Sequence, residues 1–112
     1  MNLVLIGFRG TGKTCVGQRL AERLGRDFID ADEYLQKKTG KAIQRIFEEG
    51  GEELFRRIES EVIAEITQQD DAIIAAGGGA VLREENVARL RHHGFLILLE
   101  ADADTIHKRL TA

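Results

Sequence analysis

Apolar residues fall along this chain in two rhythms. Short unbroken runs occur at 3–6, 72–75 and 95–99, and between them lie longer stretches in which apolar side chains return every three or four positions. An unbroken run suits a strand covered on both faces, as in a parallel sheet, whereas the spaced pattern puts one apolar stripe along a helix. The pattern predicts strands at 3–6, 27–30, 72–75 and 95–99. The first helix carries Val16, Leu20, Ala21 and Leu24 on one face and stops at Gly25, a residue suited to the position just past a helix. Helical segments follow at 32–39, ended by Gly40, and at 42–49, ended by Gly50 and Gly51. A longer helix runs over about 52–67, with Leu54, Phe55, Ile58, Val62, Ile63 and Ile66 toward a core. Glu53–Arg57 and Arg57–Glu61 are spaced on it for ion pairs on a solvated face. A helix over 83–93 is followed by Gly94, and 105–110 begins another. Strands that alternate with helices make a parallel sheet wound on both sides, and such a sheet collects its ligands at the carboxyl ends of the strands. The loops after Ile6, Ile29 and Ala75 are therefore expected to share one crevice.

Composition narrows the picture only modestly. At 112 residues, 43% hydrophobic and 31% charged, the chain reads as a single globular domain over 1–112. A net charge of −3, with basic and acidic residues interspersed, leaves no electrostatic footprint for nucleic acid. The apolar start is too short for a signal or membrane segment, so the cytoplasm is the expected address and no membrane partner is implied. A single cysteine, Cys15, agrees with a reducing compartment and reads as a small packed residue just inside the first helix.

The unusual residues gather at the expected crevice. The first apolar run leads straight into Gly7-Phe8-Arg9-Gly10-Thr11-Gly12-Lys13-Thr14, and an amphipathic helix follows. That is the strand, loop and helix setting of a phosphate-binding P-loop. Gly7, Gly10 and Gly12 let the backbone curl until successive N–H groups converge on one anion; Lys13 adds a mobile cation and Thr14 a hydroxyl for magnesium. The helix terminus contributes only about 0.3–1 kcal/mol at the surface, so loop amides, lysine and metal carry most of the binding.

Three further segments have both a plain and a chemical reading. In extended chain Asp30 and Asp32 point the same way, which suits one carboxylate to a metal's water and the other to an acceptor hydroxyl; by itself Asp32 reads as a helix N-cap. Arg56 and Glu59 are neighbours on one helix face, so the acid can orient the guanidinium for bidentate capture of a carboxylate, although such pairs are often only surface ion pairs. Gly77-Gly78-Gly79 is either a flexible loop or bare backbone that a substrate ring approaches closely.

Together the four segments resemble the shikimate kinases, a P-loop family that phosphorylates a hydroxyl of shikimate with ATP on the way to aromatic amino acids. GFRGTGKT is similar to the family's phosphate loop, FIDAD to its paired-aspartate segment, FRRIE to its substrate-arginine helix, and AAGGG to its replacement for a Walker B segment. The resemblance implies a P-loop NTPase-like fold, a three-layer α/β/α arrangement around a mostly parallel sheet, with shikimate 3-phosphate as product. It implies nucleotide contacts from Gly10, Thr11, Gly12, Lys13, Thr14 and Cys15, with Lys13 on the phosphates and Arg109 near the adenine. Thr14 and Asp30 would serve Mg2+, Asp30 by ordering its water shell. Asp32 would bind the reacting hydroxyls and act as base. Arg56 would pair with the shikimate carboxylate, Glu59 would orient it, and Gly78 and Gly79 would offer backbone donors. A monomer is expected for the full-length family.

After Arg109 the sequence supplies only Leu110, Thr111 and Ala112, where the family continues with a lid bearing an Arg-Pro pair, a fifth strand and a closing helix. The expectation is thus a fold lacking that lid and last strand, without the lid arginine and without a second arginine for the carboxylate. Positioning two reactants accounts for ~7–11 kcal/mol of a barrier, so turnover is expected to suffer more than nucleotide binding. An uncovered apolar edge at strand four would favour self-association. Two other readings stay open. One is a noncatalytic nucleotide-binding remnant of the same fold, favoured by the missing lid. The other is a kinase for a different small molecule, such as gluconate or a nucleoside monophosphate, against which the joint presence of FIDAD, FRRIE and GGG argues.

Overall fold

The computed structural model describes residues 1–7, 13–92 and 94–98. Its elements run β1 (Asn2–Gly7), α1 (Lys13–Leu24), β2 (Phe28–Asp30), α2 (Ala31–Thr39), α3 (Ile43–Ile66), β3 (Ile73–Gly77), a 3₁₀ turn (Gly78–Leu82), α4 (Glu84–His92) and β4 (Gly94–Leu98). The strands pair in the order β2-β3-β1-β4, and every pairing is parallel. Strand side chains alternate between two apolar clusters, as the period of an extended chain requires. Leu3 and Leu5 of β1 join Val16, Leu20 and Ala21 of α1 on one face, while Val4 and Ile6 join residues of α2, α3 and α4 on the other. The result is the expected three layers. The chain leaves β1 for β2 through α1 on one face, then returns through β3 to β4 with α2, α3 and α4 on the other.

Element boundaries depart from the periodicity at several points. The break expected between 42–49 and 52–67 is present, however: α3 is two helices that meet at a kink at Gly51, whose backbone (φ 69°, ψ −164°) is not helical. A conformation of that sign is open to glycine and strained for other residues, so one glycine suffices to redirect the axis. β3 continues to Gly77, and Gly78 and Gly79 open a 3₁₀ turn instead of a loose loop. Gly94 comes after α4, as expected, and is itself the first residue of β4. Leu24 is 49% exposed, and Cys15 is exposed rather than packed. The buried face of α1 runs through Val16, Gly17 and Ala21, and Cys15 lies about 100° around the helix from Val16. Glu53, Arg57 and Glu61 are exposed, and the ion pairs on this stretch of α3 are made instead by Arg56, with Glu52 and Glu59. Leu99 and the segment 105–110 lie outside the described residues.

Long-range polar contacts close the layers. The Tyr34 hydroxyl of α2 donates to Glu65 Oε2 of α3 at 2.8 Å, and Lys38 pairs with the same carboxylate. Asn2, buried at the start of the central strand, accepts from the Ala72 N–H at 2.8 Å and donates to the Gln69 carbonyl at 2.9 Å, fixing the turn that feeds β3. Asn2→Ala leaves both backbone groups without these partners. The expected loss is about 1–3 kcal/mol, read as a lower urea midpoint at unchanged m-value.

Candidate functional site

Parallel pairing brings the carboxyl ends of three strands side by side. Gly7, the last residue of β1, is in register with Gly77 of β3, and Asp30, the last of β2, with Ala75. The loop expected to hold phosphates therefore starts beside the triple glycine and one strand from the paired aspartates. β1 ends at Gly7 and α1 begins at Lys13, which is the strand-to-helix passage a P-loop occupies. Arg9, Gly10, Thr11 and Gly12, the Lys13 side chain and Arg109 lie outside the described residues.

Asp30 does two things at once. Its Oδ1 accepts from the N–H groups of Asp32 (2.9 Å) and Glu33 (3.1 Å), so Asp30, not Asp32, is the N-cap of α2. Its Oδ2 accepts from the Thr14 hydroxyl at 3.1 Å. One carboxylate thus ties the first turn of α1 to the end of β2, where the sequence placed a metal. The donor set, a hydroxyl and a carboxylate oxygen, fits a hard cation such as Mg2+, which is held by one or two protein oxygens and keeps water and phosphate for the rest. Among the described residues no group of three His, Cys, Asp or Glu side chains is placed to enclose a metal. Asp32 stands in the first turn of α2, half-buried, and its charge acts on Glu59 across the crevice.

Arg56 is held from several directions. Nη1 donates to Glu59 Oε1 at 2.9 Å, Nε faces Glu52 Oε1 at 3.5 Å without a hydrogen bond, and Cζ lies 5.1 Å from the centroid of the Phe55 ring. Phe55 is in turn stacked on Phe47, with centroids 4.8 Å apart. The Arg56 side chain is 22% exposed and that of Glu59 only 5%. With Nη1 engaged on one side, Nη2 has no partner among the described residues. A planar guanidinium held along one edge presents its other edge to a carboxylate as a ready fork.

Burial pushes the Glu59 carboxyl above its ordinary range. Arg56 pulls it back, Asp32 adds to the rise and Arg83 opposes it. Sequence periodicity did not single out three supports of this corner. Glu52 pairs with Arg56; Arg83 reaches Ser60 Oγ at 3.4 Å; and Asn86, fully buried, donates to the Ala80 carbonyl at 3.0 Å. Asn86 had a usable signal, a polar residue at a core position of a helix. The other two had none beyond helical spacing.

A parallel sheet of this order, with a glycine-rich strand-to-helix passage at the end of its first strand, defines a P-loop α/β protein. The shikimate kinase family model matches residues 9–112, and the chain belongs to that family. Curated relatives include the shikimate kinases of Symbiobacterium thermophilum and Thermodesulfovibrio yellowstonii, each 50% identical over 109 residues, covering 97% of this chain and 63% of the relative. Among solved structures, a shikimate kinase from Acinetobacter baumannii in complex with shikimate superposes with TM-score 0.87 at 40% identity, covering 96% of this chain and 60% of that one. The Aquifex aeolicus shikimate kinase gives TM-score 0.84 at 34% identity, covering 95% and 63%. The chain thus spans less than two thirds of the length of these relatives. Among the described residues no helix is long and apolar enough to cross a membrane.

Two outcomes follow from this geometry. Asp30→Ala removes the α2 cap and is expected to cost about 1 kcal/mol in urea unfolding, while Asp30→Asn, whose amide oxygen still caps, stays near wild type; equal losses would show that the charge and not the cap sets stability. For Glu59, the folded protein holds the proton more tightly than the unfolded chain between the ordinary value of 4.5 and the raised one. Its contribution to stability therefore falls as pH rises through that window and stays low above it. The stability of wild type relative to Glu59→Gln should decline as pH rises above the ordinary carboxyl value of 4.5. A pH-independent difference would mean that this carboxyl titrates as if exposed.

Proposed function

We propose that this chain acts in the ATP-dependent phosphorylation of shikimate to shikimate 3-phosphate, as one cytoplasmic domain that holds nucleotide and acceptor at the carboxyl end of its sheet. The observation that carries this reading is Arg56, a guanidinium fork held by a buried glutamate in the same crevice as Asp32 and the phosphate-loop passage. Membership of the shikimate kinase family supports it, and so does the likeness to a relative solved with shikimate.

In this reading Gly10 to Cys15 hold the nucleotide, with Lys13 on its phosphates and Arg109 at its adenine. Arg56 takes the acceptor carboxylate, and the backbone N–H groups of Gly78 and Gly79 steady the ring. Asp32 accepts the proton of the attacking hydroxyl as its oxygen forms a bond to the γ-phosphorus and the bond to the ADP oxygen breaks. Thr14 and Asp30 would serve Mg2+, which would supply charge neutralisation at the phosphates. What the protein itself supplies is orientation of the two reactants, worth several kcal/mol of a barrier in systems of this kind.

The test is ADP release from MgATP with and without shikimate, beside calorimetric titration of MgADP, on wild type and Asp32→Asn. Shikimate-dependent ADP release that falls about 100-fold or more in Asp32→Asn, at unchanged MgADP affinity, is the expected result. Normal turnover in Asp32→Asn would remove that carboxylate from the chemistry. ADP release indifferent to shikimate would reject the acceptor.

A further inference from the structure

The triple glycine contains two positions that look alike in sequence and differ in space. A Cβ built on Gly77 meets nothing within 4 Å. A Cβ built on Gly79 falls onto the guanidinium of Arg56, on Cζ and both Nη atoms together. Neither residue has a positive φ, so the backbone at Gly79 is one that any residue adopts. The three atoms nearest to such a side chain all belong to the Arg56 guanidinium.

The two parties differ in how readily they can retreat. The 3₁₀ turn carrying Gly79 is anchored from behind, since Asn86 donates to the Ala80 carbonyl and both residues are wholly buried. Arg56 is drawn to Glu59 and lies against Phe55. Of the two, the guanidinium is the movable one, being the end of a long side chain, whereas the turn is backbone fixed by a buried hydrogen bond. A methyl group at 79 therefore spares the fold and shifts the guanidinium off its Glu59 anchor.

We propose that Gly79 is a positioning residue for Arg56: its bare Cα is the platform on which the guanidinium lies, and this sets the direction in which the fork meets an acceptor carboxylate. The carboxylate part rests on the proposed function; the platform itself does not. It gives Gly79 a steric role separate from any backbone N–H it offers to a ligand. It also makes selection for a carboxylate-bearing acceptor depend on a residue with no side chain.

The test uses this chain as wild type, Gly79→Ala, Gly77→Ala, Arg56→Ala and the double variant Gly79→Ala/Arg56→Ala. The first readout, without any ligand, is the Arg56 Nε–Hε resonance in 15N NMR, assigned by its loss in Arg56→Ala. It is expected to move and exchange faster in Gly79→Ala while staying in place in Gly77→Ala, with thermal unfolding of Gly79→Ala close to wild type. The second readout is calorimetry with shikimate. Gly79→Ala should weaken binding about tenfold or more, leave MgADP affinity unchanged, and add little to the loss already caused by Arg56→Ala. An Arg56 signal unmoved in Gly79→Ala, or moved equally in Gly77→Ala, would overturn the platform; so would losses that multiply in the double variant. If wild type binds no shikimate, the acceptor reading fails by itself, and the Arg56 signal decides the platform alone.

Discussion

The structure depends on the in-register parallel pairing of β2, β3 and β1. Because all three strands run the same way and end within about a residue or two of one another, the passage after Gly7, the Asp30–Asp32 corner and the turn at Gly78 must open at the same end of the sheet. Backbone hydrogen bonding and the burial of both sheet faces enforce this, and no functional side chain needs to contribute. The connections leaving β1 and β3 run toward opposite edges of the sheet, to β2 and to β4, and this switch in strand order opens the crevice at that end, as expected of a doubly wound sheet.

On that frame a charged cluster is built against the core. Glu59 is buried, which alone would favour its neutral form, and the protein offsets this with Arg56 at hydrogen-bond distance and Arg83 nearby. A buried ion pair of this kind is weak evidence for stability. Its clearer effect is geometric, because a guanidinium fixed at Nη1 and pressed between Gly79, Phe55 and Glu59 has little freedom left. Asp30 shows the same economy at the other end of the crevice, where one carboxylate caps α2 with one oxygen and receives the Thr14 hydroxyl with the other. Stability and site are joined at both corners, so a substitution at either is read through both.

Much of this was legible from local pattern. Unbroken apolar runs marked three of the four strands, the stripe from Leu54 to Ile66 marked the buried face of α3, and the Gly7–Thr14 spacing marked the phosphate passage. Family membership followed from the order of four short motifs. Errors fell where a residue's role depends on its partners. Cys15 was misplaced because helical spacing alone does not say where a buried face ends. Asp30 and Asp32 exchanged the capping role because the helix starts one residue earlier than its apolar pattern.

What the sequence by itself determined is whatever depends on neighbours along the chain: periodicity, the order of strands and helices, the phosphate-loop spacing and the i, i+3 pairing of Arg56 with Glu59. Only the tertiary structure decided which strands lie side by side, that Thr14 meets Asp30, that Asn86 anchors the 3₁₀ turn, and that Gly79 and not Gly77 lies under the Arg56 guanidinium. Local propensities act over a few residues of chain, whereas burial, charge compensation and close contact are properties of surfaces brought together from segments tens of residues apart.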